Sequence, residues 1–235
     1  MIPLKDLNPT RNFPIVNVTI IVINVLVFLY EFAIGHRVEA LFASFAVIPY
    51  DVSSAIQTGR FDVAVILPLF TSMFLHGGWM HLIGNMLYLW IFGDNIEDIM
   101  GRGRYVVFYL LCGIAASATH IFIAPTSAIP TIGASGAISG VLGAYLLLFP
   151  RAKVVTLIPI FMFVQVARLP AIVILGFWFV MQFFNGLASL GFESAGMGGV
   201  AWWAHIGGFV TGALLMLALM PASPRRVSVS FPDQD

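Results

Sequence analysis

Four apolar runs of near twenty residues recur along the chain, at 16–33, 105–123, 171–190 and 202–220. A run of that length covers about 30 Å of hydrocarbon at about 1.5 Å per residue, and a helix is the form that keeps its backbone hydrogen-bonded there. A soluble alternative fails for want of charge. Of the 235 residues 9% are charged and 60% are hydrophobic, where a soluble domain of this size carries roughly 25% charged residues. The chain therefore reads as an all-α polytopic membrane protein. Its net charge is zero and it has no basic block, so no nucleic-acid partner is expected. Its one cysteine, Cys112, lies inside an apolar run and excludes an intramolecular disulfide. The first run lacks a small-residue cleavage pattern and is followed by further spans, so it reads as a retained helix.

Two more helices complete a six-transmembrane-helix bundle. Residues 79–92 restart the apolar pattern after His76-Gly77-Gly78 and close on Gly93-Asp94-Asn95-Ile96-Glu97-Asp98. Residues 135–149 follow Gly133-Ala134 and stop at Pro150. At about 22 Å this helix is too short to cross alone, which leaves its serine end sunk beneath one surface. Between the first two spans, 35–78 mixes charges with short apolar patches and reads as a membrane-associated first loop. The run 154–166, interrupted by Pro159 and flanked by Arg151, Lys153 and Arg168, reads as membrane-associated too. The organisation expected is a cytoplasmic lead over 1–13, a membrane domain over 14–220 and a solvated, disordered tail over 221–235. Asn17 and Asn24 are expected to hydrogen-bond to neighbouring helices. Gln182 and Asn185 stand toward the far end of the fifth span, and the acids at 94, 97 and 98 are expected to make contacts at the inner end of the second.

Basic residues orient this bundle. Lys5, Arg11, Arg102, Arg104, Arg151, Lys153, Arg168, Arg225 and Arg226 fall on one side, Arg37 and Arg60 on the other. Excess Lys and Arg mark the cytoplasmic side, so both termini are expected there. Spans two, four and six then all enter from the outer side, with His81, Ser135 and His205 near their outer ends. Polar side chains inside a membrane are costly and usually mark a working site. Small residues four apart, Gly136-Gly140-Ala144 in span four and Ala204-Gly208-Gly212 in span six, let two backbones approach closely. That seam would bring His205 alongside Ser135.

The chemistry follows from the residue types. A serine hydroxyl is a weak nucleophile until a neighbouring base takes its proton, and His205 is the candidate base. His81 and Asn85 share a helix face and can donate to a developing oxyanion, as can the Ser135 backbone N–H at a helix start. Glu193 lies in a glycine-rich loop, 191–199, so a two-residue Ser/His arrangement is the economical reading. Each feature has a structural alternative: small residues as packing devices, His205 as a satisfied core histidine, His81 and Asn85 as ties between helices. Their coincidence at one depth is what favours a site.

His76 with His81-Leu82-Ile83-Gly84-Asn85, Gly133-Ala134-Ser135-Gly136, and Ala204-His205-Ile206-Gly207-Gly208 with Gly212 together resemble the rhomboid family of intramembrane serine proteases. Glu97 followed by Gly101-Arg102-Gly103-Arg104-Tyr105 is similar as well, and the resemblance covers roughly 14–220. It implies peptide-bond hydrolysis in or near transmembrane segments, with Ser135 the nucleophile, His205 the general base and acid, and His81, Asn85 and the Ser135 amide the oxyanion site. It implies a gate at span five and the 191–199 loop, and partners that are transmembrane protein substrates within a lipid bilayer. No cofactor or metal is expected. The expected location is a bacterial cytoplasmic membrane with the site opening to the outer side. Two positions depart from the pattern: Leu67-Pro68 stands where some members carry a Trp-Arg pair, and Ser139 where some carry an aromatic residue that stacks on the base. A non-catalytic module that binds transmembrane helices is the alternative, with a small transporter behind it.

Overall fold

Helix and strand positions come from a computed structural model that describes residues 1–60, 62–160, 162–191 and 200–219. The loop holding Glu193 and Met197, and the tail over 221–235, lie outside the described residues. In chain order the elements are β1 (Ile2–Asp6), α1 (Ile15–Ile34), α2 (Val38–Phe45), α3 (Pro49–Thr58), α4 (Val63–Ile66), α5 (Pro68–Thr71), α6 (Trp79–Met100), α7 (Arg102–Ile123), α8 (Ser135–Leu148), β2 (Lys153–Ile160), β3 (Phe163–Pro170), α9 (Ala171–Gly191) and α10 (Trp202–Leu219).

Four helical segments among the described residues are long and apolar enough to cross a membrane: Ile15–Phe45, Arg102–Ile123, Ala171–Leu190 and Trp202–Leu219. A fifth is added if Val63–Phe74 and Trp79–Met100, which meet at 78°, form one bent span. Helix α8 has 14 residues and falls short, as expected for that segment. The second helix does not end at Phe92. It runs on to Met100 because the acids beyond Gly93 have partners in the N-terminal segment: Glu97 accepts from the Val16 and Asn17 backbone N–H groups at 3.1 and 2.7 Å. Those amides open α1 and have no partner within it, so a carboxylate 80 residues away caps the helix. Asn17 also donates to the Leu89 carbonyl and accepts from the Tyr105 hydroxyl, tying α1 to α6 and α7. Asn24 instead donates to Ile20 within its own helix.

The all-α expectation is corrected. Strands β1, β2 and β3 form an antiparallel sheet in that order, with Ile2 opposite Leu157, Asp6 opposite Val154, and Lys153 opposite Pro170. Among the described residues the apolar run 154–166 falls on β2 and β3, and does not span. Its β-branched Val, Thr and Ile residues pack well on a pleated surface. The polar lead is recruited onto its free edge, with a register shift between Pro3 and Lys5 where proline supplies no N–H. Asp6 anchors the sheet on α8 by accepting from the Tyr145 hydroxyl at 2.8 Å. Burial pushes the Asp6 carboxyl up to about 6, against the opposing effect of that hydrogen bond.

Helix α8 forms the centre. Every residue from Gly136 to Tyr145 is buried, and α10 packs against it more extensively than any other pair of elements packs together. The seam is made by glycines. A Cβ at Gly212 would strike the Gly140 backbone, and one at Gly208 the Gly136 carbonyl, so backbone touches backbone. Outward faces carry Leu26, Phe32, Phe184 and Leu217, all strongly exposed, as suits a bundle whose solvent is lipid. The first loop is ordered into α2 to α5. It is stapled to the segment before α8 by paired Val47 and Thr131 backbone hydrogen bonds.

Candidate active site

Ser135 is the first residue of α8, and the chain leading to it is fixed from two sides. The Gly133 N–H donates to the Ser72 carbonyl at 2.8 Å, and Thr131 pairs with Val47. Gly133 has φ +122°, and a Cβ there would lie 2.6 Å from His81 Nε2. Glycine is needed both for that dihedral and for the approach of the imidazole.

The close packing of α10 on α8 carries His205 to the serine, with His205 Nε2 2.7 Å from Ser135 Oγ. The other ring nitrogen, Nδ1, lies 2.8 Å from Gln182 Oε1 on α9. Two tryptophans flank the ring, Trp178 at a centroid separation of 5.9 Å and tilted by 34°, and Trp202 edge-on at 6.2 Å. Trp178 thus stands beside the imidazole, while the position one turn after Ser135 is held by Ser139. The Ser139 side chain is buried and donates to the Ser135 carbonyl at 2.6 Å, turned into the seam with α10.

His81 and Asn85 come to the same place from α6. His81 Nδ1 accepts a long hydrogen bond, 3.4 Å, from the Gly77 N–H. That leaves the proton of a neutral ring on Nε2, the atom facing Gly133. Asn85 is 8% exposed and its Nδ2 has no hydrogen-bond partner among the described residues. It lies 3.6 Å from the position a Gly133 Cβ would take. A buried donor without a partner costs stability wherever it sits, and it is retained where a ligand supplies the acceptor. All four side chains line one cavity of about 580 Å³, with Ser72, Met73, Trp178 and Val200 also on its wall.

The arrangement therefore contains a hydroxyl in contact with an imidazole, and the His81 and Asn85 donors lining the same cavity beside Gly133. It is suited to acyl transfer. The four side chains singled out in the sequence meet in this cavity. Gln182 and Trp178 were given no part there. The signal for Gln182 was an amide in an apolar span, four residues after a tryptophan, the spacing that also groups His81 with Asn85.

Residues 64–222 match the family model described as Rhomboid domain. The chain is 34% identical over 131 residues to Presenilin-associated rhomboid-like protein A, mitochondrial, of Danio rerio, covering 53% of this chain and 34% of that protein. It is 32% identical over 151 residues to Rhomboid protein 1, mitochondrial, of Saccharomyces cerevisiae, covering 61% and 39%. It is 44% identical over 78 residues to Rhomboid protease GluP of Bacillus subtilis, covering 33% and 15%. The chain spans well under half the length of each of these relatives.

Proposed function

This chain belongs to the rhomboid family, and from that premise we propose that it is an intramembrane serine protease hydrolysing peptide bonds in or near transmembrane segments of other membrane proteins. One observation carries the reading: His205 Nε2 lies 2.7 Å from Ser135 Oγ. In the proposed reaction His205 takes the hydroxyl proton as Ser135 Oγ attacks the scissile carbonyl carbon, then returns it to the leaving amine. The Asn85 amide, His81 Nε2–H and the Ser135 backbone N–H receive the negative charge on the carbonyl oxygen. Water entering the cavity then cleaves the acyl-serine, with His205 again the base.

The short α8 supports a buried reaction. Its 14 residues reach about 21 Å, so with Leu148 at one interface Ser135 lies roughly 9 Å beneath the other. The full reading has six spans, both termini cytoplasmic in a bacterial membrane, and a site open to the outer side. Substrates would be single-span or other transmembrane proteins, reaching the serine past α9. The test uses purified protein in liposomes with a single-span reporter. Cleavage should stop in Ser135→Ala and in His205→Ala, and activity that survives either substitution sinks the assignment.

A further inference from the structure

His205 is held at both ring nitrogens, by Ser135 Oγ at 2.7 Å and by Gln182 Oε1 at 2.8 Å. A neutral imidazole carries one proton, and which nitrogen holds it decides whether the ring can accept from serine. Gln182 decides this only if its carbonyl, not its NH2, faces the ring. A third group settles that orientation: Gln182 Nε2 donates to the Trp178 carbonyl, one turn back on α9, at 3.3 Å. That carbonyl can only accept, and turning the amide over would set two carbonyl oxygens against each other.

We infer that Gln182 is a positioning residue whose side-chain carbonyl holds His205 as the Nδ1–H tautomer and so keeps the Nε2 lone pair on the Ser135 hydroxyl. The chemistry suits the setting. A carboxylate would fix the same tautomer, but an ionised acid inside a bilayer is expensive, while an amide oxygen accepts the same hydrogen bond without charge. Gln182 is 6% exposed. Without His205 its Oε1 would be an unpartnered buried acceptor, so each side chain completes the other.

The inference rests on the Ser135 and His205 reading above, and its test has a readout apart from proteolysis. Protein labelled with nitrogen-15 histidine is measured in lipid bilayers near neutral pH, with the His205 signal assigned by its loss in His205→Asn. Wild type should show Nδ1 protonated and Nε2 bare. Gln182→Met, similar in shape but unable to accept, should move the proton toward Nε2, and Gln182→Glu should keep it on Nδ1. In the reporter assay Gln182→Met should lower kcat on the order of 10²-fold with KM little changed, and Gln182→Glu should restore part of the loss. An Nε2–H tautomer in wild type, or an Nδ1–H tautomer that persists in a folded Gln182→Met protein, overturns the inference. If Gln182→Met does not fold, the wild-type spectrum and Gln182→Glu decide. Wild type that neither cleaves the reporter nor takes up a fluorophosphonate, while its tautomer follows Gln182, would sink the protease reading and leave the tautomer assignment standing.

Discussion

Asn85 tests the oxyanion reading because stability and catalysis pull on it in opposite directions. Its Nδ2 is buried and has no partner among the described residues, so it contributes little to folding and can serve a transition state. Asn85→Leu should lower kcat by roughly 10²–10³-fold, the usual effect of removing one oxyanion donor, with a thermal midpoint in detergent equal to or above wild type. A fall in midpoint parallel to the loss of activity would make Asn85 a structural residue. Ser139→Ala should retain most activity, since its hydroxyl is engaged with the Ser135 carbonyl. If it loses as much as Ser135→Ala, the nucleophile is misassigned. At this scale the sequence was informative wherever a polar residue in an apolar helix had a partner across a seam of small residues, as for Ser135 with His205. Gln182 was visible as an anomaly but not as a neighbour, because its contact depends on the rotation of α9 about its axis, which an almost uniformly apolar span does not reveal.

Among the elements, the four long apolar helices were legible from the lengths of apolar runs and the α8–α10 seam from its small residues. The sheet was not. Val154 and Thr156 are fully buried, but apolar residues also occupy the alternate positions of β2, so the period-two pattern of a half-buried strand is masked and the run resembles a short membrane segment. The strand in the lead 1–13 was hidden for a related reason, since its partner β2 lies about 150 residues away in the sequence. The anchor of this sheet has a measurable consequence. Asp6 is 9% exposed and its carboxyl is raised from 3.8 to about 6, chiefly by desolvation. A carboxyl raised in the folded state binds protons more tightly there than when unfolded. Its contribution is therefore fully present below about pH 4 and lost as pH rises through about 6. Asp6→Asn, which keeps an acceptor for Tyr145 and carries no charge, should exceed wild type in unfolding stability at pH 7 by up to about 3 kcal/mol. The two should converge as pH falls toward 4. A difference that stays constant across that window would mean the Asp6 carboxyl is not desolvated in the folded protein.

For the whole molecule most of the described basic residues lie at the end opposite the site, and the packing ties these two facts together. Strand β1 pairs with β2, which brings Lys5 to the end of the bundle that holds Arg151, Lys153 and Arg168. Asp98 accepts from the Arg11 backbone N–H and from Asn12, bringing the same segment to the α6–α7 junction with Arg102 and Arg104. Seven basic residues widely separated in sequence thus share one end. Arg37 and Arg60 belong to the first loop, whose Tyr50 and Val47 bond to the segment preceding Ser135 at the other end. Basic clusters resist translocation, so we predict that the sheet end faces the cytoplasm and the cavity opens on the opposite side. Cysteines placed at exposed positions can decide this, with native Cys112 left in place because it is fully buried. Gln57→Cys in α3 should react with a membrane-impermeant maleimide on intact cells. Gln165→Cys on β3, and Gly103→Cys, where a side chain meets nothing within 4 Å, should react only after permeabilisation. Labelling of Gln165→Cys from outside would invert the orientation. Labelling of Gln57→Cys and Gly103→Cys from the same side would remove α6 as a crossing helix, and with it the six-span reading.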